Sequence, residues 1–235
     1  MCQDWSYLYP QICFILYNNL TSEKIKLQSK NGLLDFLKNN GAKSIHKTPL
    51  HIVLKENEIE AEIVMEWTDG RIEKSFTFTN GLENSEGGTS LTGVKTALTN
   101  FFKKKIKGEG SPETLRKGLL YAVSCKVPNP SFANQTKTKV NTPELRGLCQ
   151  RATTQMLDNF EKKHNDEFQK VFELLTKELK AEAAAEKARR QVLETEKEIS
   201  NEKKKRAILA DKLKDCQIHG PDSGSVLAIS EGENK

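Results

Sequence analysis

The chain has 235 residues, room for one large domain or two small ones. With 36% hydrophobic and 29% charged residues, it cannot fill a compact core from end to end, so some segment is solvated. Lys and Arg number 37 against 32 Asp and Glu, and the net charge of +5 permits contact with an anionic polymer without requiring it. No run approaches the roughly 20 apolar residues that cross a bilayer, which argues against a membrane protein. The first 20 residues lack a basic start and a small-residue cleavage site, so no signal peptide is expected. Cys2, Cys13, Cys125, Cys149 and Cys216 are scattered and form no CxxC pair, which points to reduced thiols and a cytoplasmic setting.

In chain order, residues 1–30 have no clear period, although Ile12, Phe14 and Leu16 alternate like a strand. Leu33, Leu34, Phe36 and Leu37 predict a short helix stopped by Gly41, followed by a polar connection with Pro49. Ile59, Ala61, Ile63, Met65 and Trp67 alternate as a strand, and Thr68-Asp69-Gly70 is a turn signal. Ile72, Phe76 and Phe78 resume the alternation, so residues 58–79 read as a β-hairpin. Asn80 to Gly88 reads as a loop. Leu91, Val94, Leu98, Phe101 and Phe102 then share one helical stripe, with Thr89 or Ser90 as N-cap. Lys103, Lys104, Lys105 and Lys107 close that helix before a Gly108 stop.

Ser111-Pro112-Glu113 predicts another short helix, and Leu119, Tyr121, Val123, Cys125 and Val127 a strand. A polar loop runs from Ser131 to Thr142. Thr142-Pro143-Glu144 opens a helix carrying Leu145, Leu148, Cys149, Ala152, Met156 and Phe160. After a break near Asn165-Asp166, Phe168, Val171, Phe172, Leu175 and Leu179 continue on a second helix. From Ala181 to about Lys214 the helix formers are Ala, Glu, Lys and Arg with few large apolar residues: the solvated part that composition requires. Val226 to Ile229 reads as a short strand.

Few residues announce chemistry. His46, His51, His164 and His219 show no metal-ligand spacing. Glu86-Gly87-Gly88-Thr89 lacks the spacing and lysine of a P-loop and reads as a turn. In Asn134-Gln135-Thr136-Lys137-Thr138-Lys139, a lysine can meet a phosphate as a point charge while a glutamine orients oxygens. On composition alone a solvated surface loop is the simpler reading. The same holds for the basic runs at 103–107 and Lys203 to Arg206, which can touch phosphates by charge. Glu231, after the 226–229 strand, stands where a parallel strand opens towards a ligand, although as a terminus it reads as frayed.

Taken together, several motifs carry a resemblance. Trp67-Thr68-Asp69-Gly70, Phe78-Thr79-Asn80, Glu86-Gly87-Gly88-Thr89 and Arg116-Lys117-Gly118-Leu119 stand in one order. Val123 to Phe132, Gln135-Thr136-Lys137-Thr138-Lys139, Glu144-Leu145-Arg146-Gly147 and Lys212 to Gln217 continue it. In that order they resemble the transducer region of the B subunit of bacterial DNA gyrase and its topoisomerase IV counterpart, over about residues 30–232. The resemblance implies an α+β fold: a ribosomal protein S5 domain 2-like transducer, a β-sheet with helices, followed by a long C-terminal helix. It divides the chain into an unassigned segment at 1–30, the transducer at 31–164, a long helix and linker at 165–216, and the start of a TOPRIM domain at 217–235.

By the same resemblance, Gln135 and Lys137 reach a neighbouring GHKL ATPase domain, where the lysine senses the γ-phosphate of ATP. Glu231 matches the catalytic, magnesium-linked glutamate of TOPRIM, and Lys103, Lys104, Lys105 and Lys107 are candidate DNA contacts. The implied function couples ATP binding and hydrolysis to DNA strand passage in a type II topoisomerase, an isomerase. ATP and Mg2+ are its cofactors. Its partners are DNA, the GHKL domain, the A subunit with the catalytic tyrosine, and a second copy through the ATPase region.

Some residues depart from the pattern. Ser90 replaces the family's histidine after Gly-Gly-Thr, the linker before Lys212 is shortened, and the acids completing a magnesium site do not follow Glu231. Residues 1–20 do not resemble the ATPase domain, so the chain is expected to be a piece of the enzyme that alone neither binds ATP tightly nor cleaves DNA. Two other readings stand beside this one: a non-enzymatic helical interaction protein, which would sustain a heptad repeat beyond Leu179, and a MutL-type mismatch-repair relative sharing the transducer fold.

Overall fold

The computed structural model describes residues 2–41, 43–106, 111–212 and 224. The strand expected at 226–229, and Lys107, Cys216 and Glu231, lie outside the described residues. The chain divides into two compact units, Met1–Ala183 and Ala184–Lys235.

The first unit opens with helix α1 (Cys2–Leu8) and an antiparallel ribbon of β1 (Phe14–Asn18) and β2 (Glu23–Leu27). Helix α2 (Leu33–Asn40) follows, burying Leu33, Phe36 and Leu37. Strands β3 (Leu50–Glu56) and β4 (Ile59–Trp67) form a hairpin whose turn holds Asn57 at φ 54°, a left-handed conformation that asparagine tolerates. Strand β5 (Lys74–Thr79) turns through Asn80 and Gly81 into β6 (Leu82–Glu83). The two-residue β7 (Gly87–Gly88) leads into α3 (Thr89–Lys105), and a 3₁₀ turn (Thr114–Arg116) leads into β8 (Leu119–Lys126). Strand β9 (Lys139–Val140), α4 (Pro143–Lys163) and α5 (Asn165–Lys212) follow.

The main sheet has five strands in the order β3-β4-β8-β5-β6, which corrects the hairpin expected over 58–79. Strand β8 lies between β4 and β5, antiparallel to the first and parallel to the second. The reason is visible in β4, whose last five residues are all buried and which therefore needs a neighbour on either side. Residues 68–73 form too long a link for a tight hairpin. Instead Thr68 turns towards β8, its N–H donating to the Gly118 carbonyl at 2.8 Å and its hydroxyl to the same oxygen at 3.0 Å.

Both faces of the sheet are covered. On one, Ala61, Ile63, Met65 and Trp67 of β4 and Leu119, Tyr121, Val123 and Cys125 of β8 pack beneath α3, α4 and the first part of α5. Trp67 meets Phe102 edge-on at 5.8 Å, and Phe102 stacks on Phe168 at 6.3 Å. On the other, Val64, Phe78, Leu120 and Ala122 meet Leu33, Phe36 and Leu37 of α2 and Leu8 of α1. This double cover gives β8 seven buried residues of eight. The described cysteines are free thiols; Cys125 and Cys149 touch at 3.9 Å, and that contact together with burial pushes the Cys125 thiol up.

Helices α3 and α4 run parallel, their first turns joined at Thr89 and Thr142 and their last at Lys105 and Glu161. They meet closely at Gly93, where a Cβ would come 2.4 Å from the Arg146 carbonyl oxygen. Several local expectations are corrected. The Asn80 to Gly88 loop contains β6 and β7, and the connection around Pro49 leads into β3. The N-cap of α3 is Gly88, not Thr89 or Ser90, because the Thr89 hydroxyl is committed to the Thr142 carbonyl at 2.7 Å. That helix closes on Ile106 in an extended conformation, ahead of the expected glycine. The segment after Ser111 forms only one 3₁₀ turn, with the Ser111 hydroxyl accepting from Thr114 N–H.

Three carboxylates fasten the start of α5 to this unit. Glu167 accepts from Thr48 N–H at 2.9 Å, Glu178 pairs with Lys117 at 2.8 Å, and Glu182 accepts from the Thr114 hydroxyl. These bonds hold all three below the usual carboxylate range. Among the described side chains, the last buried one on α5 is Leu179. In the second unit the helix continues to Lys212, with Val192 and Leu193 exposed and an Arg190–Glu186 pair one turn apart. No helix among the described residues is long and apolar enough to cross a membrane.

His46 is a neutral strut under β4. Its Nδ1–H donates to the Thr48 carbonyl at 2.7 Å, and its Nε2 accepts from Trp67 N–H at 2.9 Å. Burial lowers its pKa from the usual 6.5 against the opposing pull of the Thr48 carbonyl and Glu167. A depressed histidine contributes stability that is complete above 6.5 and is lost as pH falls through the folded value. Urea unfolding should therefore show stability declining below pH 6.5, ahead of the carboxylate range, and His46→Gln should flatten that first decline. Gly93→Ala should lower the unfolding free energy by about 1–3 kcal/mol, because the methyl group meets backbone that cannot step aside. A wild-type urea midpoint for Gly93→Ala would contradict this packing.

Candidate functional site

The polar loop between β8 and α4 is a folded turn rather than a slack connection. Ala133 N–H donates to the Lys139 carbonyl at 2.9 Å, and Asn141 N–H to the Ser131 carbonyl at 2.8 Å, which brings its two stems together. Inside, Asn134 closes the tip: its carbonyl accepts from Lys137 N–H at 3.2 Å and its side-chain oxygen from Thr138 N–H at 3.1 Å. Asn134 Nδ2 also donates to the Thr138 hydroxyl at 2.6 Å. Gln135, Thr136 and Lys137 are left exposed at the apex.

A second segment clamps this turn. Gly87–Gly88 pairs in parallel with Lys139–Val140, Glu86 N–H donates to the Thr138 carbonyl at 2.9 Å, and the Thr138 hydroxyl donates to the Glu86 carboxylate at 2.8 Å. Only glycine fits at 88: φ is 125°, and a Cβ would sit 2.0 Å from the Val140 carbonyl oxygen. Glu86-Gly87-Gly88 is therefore a docking edge for the loop, which explains why it lacks the form of a phosphate cradle.

Lys137 sits at φ 59°, a left-handed conformation costing a lysine roughly 1 kcal/mol. The cost is offset by a bond from the buried Asn84 side chain to the Lys137 carbonyl at 2.7 Å. The Lys137 ammonium lies 5.7 Å from the centre of the Phe132 ring, a weak cation–π contact that leaves it accessible. Electrostatics favour an anion here. The clamp places the first turns of α3 and α4 beside the loop, and each helix start carries about half a positive charge. The exposed side chains at the apex, Gln135, Thr136 and Lys137, suit recognition of a negative group by Lys137, with Gln135 able to donate alongside.

Gln135 and Lys137 are thus brought together at one exposed tip. Lys103, Lys104 and Lys105 lie apart from it, in the last turn of α3. Lys105 is committed to both Glu161 oxygens at 2.7 Å and lies over the Phe101 ring at 4.9 Å, which among the described residues of that run leaves Lys103 and Lys104 exposed without such a tie. Among the described residues no cluster of His, Cys, Asp and Glu could hold a metal ion. Sequence reasoning missed Asn84 and Phe132. The Phe132 signal was available, an aromatic ring five residues before the lysine, whereas Asn84 is 53 residues away and nothing local marks it.

The sequence model of the family described as DNA gyrase B matches residues 32–191. The DNA gyrase B protein of Treponema denticola is 33% identical over 230 residues, covering 91% of this chain and 35% of that protein. Its counterpart from Myxococcus xanthus is 28% identical over 247 residues, covering 99% of this chain and 29% of the relative. The chain thus spans about a third of the length of these relatives. Among solved structures, the 43K ATPase domain of Thermus thermophilus gyrase B superposes with a TM-score of 0.71 at 25% identity, over 80% of this chain and 54% of that one. The topoisomerase IV ATP-binding domain of Francisella tularensis, at 19% identity and a TM-score of 0.67 over 77% of this chain and 52% of its own, shares the fold. With the family match spanning more than half of the residues and the mixed α/β sheet agreeing, the chain belongs to the DNA gyrase B family of topoisomerases.

Proposed function

We propose that the chain is the transducer portion of the B subunit of an ATP-dependent type II DNA topoisomerase, coupling ATP binding and hydrolysis to DNA strand passage. The observation that carries this reading is the apex at Gln135 and Lys137, a loop closed by hydrogen bonds and held from beneath by Asn84, which offers an exposed lysine at its tip. Such a lysine completes a site supplied by another domain. In this proposal the fold is the S5 domain 2-like transducer, Lys137 meets the γ-phosphate of ATP held with Mg2+ in a GHKL ATPase domain, and Gln135 supports it.

The β1–β2 ribbon supports a neighbouring domain independently. Ile15, Leu16, Tyr17, Leu20 and Ile25 are exposed on it, and a two-stranded ribbon is marginal in water without a partner. We assign that partner to the ATPase domain. Hydrolysis then changes what Lys137 touches, and the clamp passes the difference to α3, α4 and α5; a switch of this kind needs a contact that differs between nucleotide states, which a charged loop supplies. Towards DNA, Lys103 and Lys104 would act by charge, and Lys107, outside the described residues, is proposed with them. Glu231 would begin the TOPRIM metal site, and the A subunit would supply the tyrosine that cuts DNA. The rival helical reading needs an apolar stripe along α5, whereas among the side chains described the last buried one is Leu179, and Val192 and Leu193 are exposed.

In a holoenzyme reconstituted with the ATPase domain and the A subunit, Lys137→Ala should depress steady-state ATP turnover while the fold is retained. Turnover equal to wild type would reject the role given to this lysine.

A further inference from the structure

Asn84 lies under the loop rather than on it. Its side chain is 1% exposed, so it meets no ligand directly. The amide nitrogen donates to the Lys137 carbonyl at 2.7 Å, and the amide oxygen accepts from the Thr79 hydroxyl at 2.6 Å. Its backbone is equally committed: N–H to the Thr77 carbonyl at 2.7 Å, carbonyl from the Thr77 hydroxyl at 2.6 Å and from Gly87 N–H at 2.8 Å. One residue therefore links β5, the turn before α3 and the backbone of the lysine at the apex.

The conformation of Lys137 explains why such a link is needed. Among the described residues, the other non-glycine positions with positive φ are Ser22, Asn57 and Asn80, short polar side chains of the kind that tolerate this region. A lysine side chain gives no such help of its own: Asn134 holds the turn from within the loop through Lys137 N–H and Thr138 N–H, and Asn84 holds the Lys137 carbonyl from outside it. A return of this residue to the right-handed region would swing Cβ to another side of the loop and carry the ammonium away from Phe132.

We propose that Asn84 is the positioning residue for Lys137: its amide pins the Lys137 carbonyl in the left-handed turn and so aims the ammonium. The inference rests on the reading of Lys137 as a phosphate contact and adds the residue that makes the contact reproducible. A residue that merely stabilised the β5–β6 turn would be bonded to Thr77 and Thr79 alone, whereas the donor half of this amide is spent on the loop.

Two measurements test it, each with its own point of failure. In the full chain, NMR should show the strong intraresidue HN–Hα contact of a left-handed residue at Lys137. Asn84→Ala should remove it while leaving the other amide signals in place, and its persistence in that variant would overturn the proposal. Where Asn84→Ala fails to fold, Asn84→Asp at pH 8 retains the acceptor for Thr79 and replaces the donor with a carboxylate that repels the Lys137 carbonyl, and the same result is required of it. In the reconstituted holoenzyme, Asn84→Ala should lower kcat for ATP roughly tenfold or more with KM unchanged, as expected for a misplaced contact. The double variant with Lys137→Ala should be no slower than Lys137→Ala alone; an additive loss would show that Asn84 acts by some other route and overturn the inference. If Lys137→Ala itself leaves turnover intact, the proposed function falls, while the NMR reading still decides whether Asn84 holds the lysine.

Discussion

Two glycines pressed against two residues of a polar loop hold the starts of two helices and that loop together. Gly87–Gly88 and Lys139–Val140 form the smallest sheet in the molecule, but each pair stands at the entrance to a helix, α3 on one side and α4 on the other. The approach is close enough that any side chain at 88 would drive a Cβ into the Val140 carbonyl. Once this pair forms, the two helix starts are set side by side, the stems of the 131–141 loop are closed, and the apex with Gln135 and Lys137 has a fixed base. Gly93, one turn into α3, extends the same contact by letting the helix backbones meet.

A loop fixed at its base can transmit a change made at its tip. The helices that start beside the loop stems, α3 and α4, pack on one core face, and the carboxylates of Glu167, Glu178 and Glu182 secure the start of α5 to the same unit. Their depressed pKa values show that these are interactions of the ionised groups, weakened by acid together with the His46 strut. The solvated portion that composition demands includes α5 from Ala183 to Lys197, whose side chains are exposed.

How much of this was legible in the sequence depends on how local each determinant is. The stripes of α3 and α4 and the alternation of β4 were readable because a helix or strand needs only its own periodicity. Pairing was not: Thr68-Asp69-Gly70 is a sound turn signal, yet the strand that β4 turns towards begins at Leu119, and no local rule could place it between β4 and β5. Strand β3 was missed because an edge strand is covered unevenly, so Leu50, Ile52 and Leu54 stood out less than Pro49 beside them. At the site, residue types alone favoured a solvated loop and only the family resemblance pointed to Gln135 and Lys137, while the left-handed backbone of Lys137 and its hold by Asn84 exist only after β5, β6 and the loop have come together.

The central claim is that Lys137 is offered to a phosphate held by another domain, and the reactivity of the lysine itself tests it most directly. The chain is assembled with a gyrase B ATPase domain and acetylated with and without a non-hydrolysable ATP analogue, and each lysine is quantified by mass spectrometry. The account predicts that bound nucleotide protects Lys137 several-fold while the exposed Lys103 and Lys104 react as before. Equal labelling of Lys137 in the two states would contradict it.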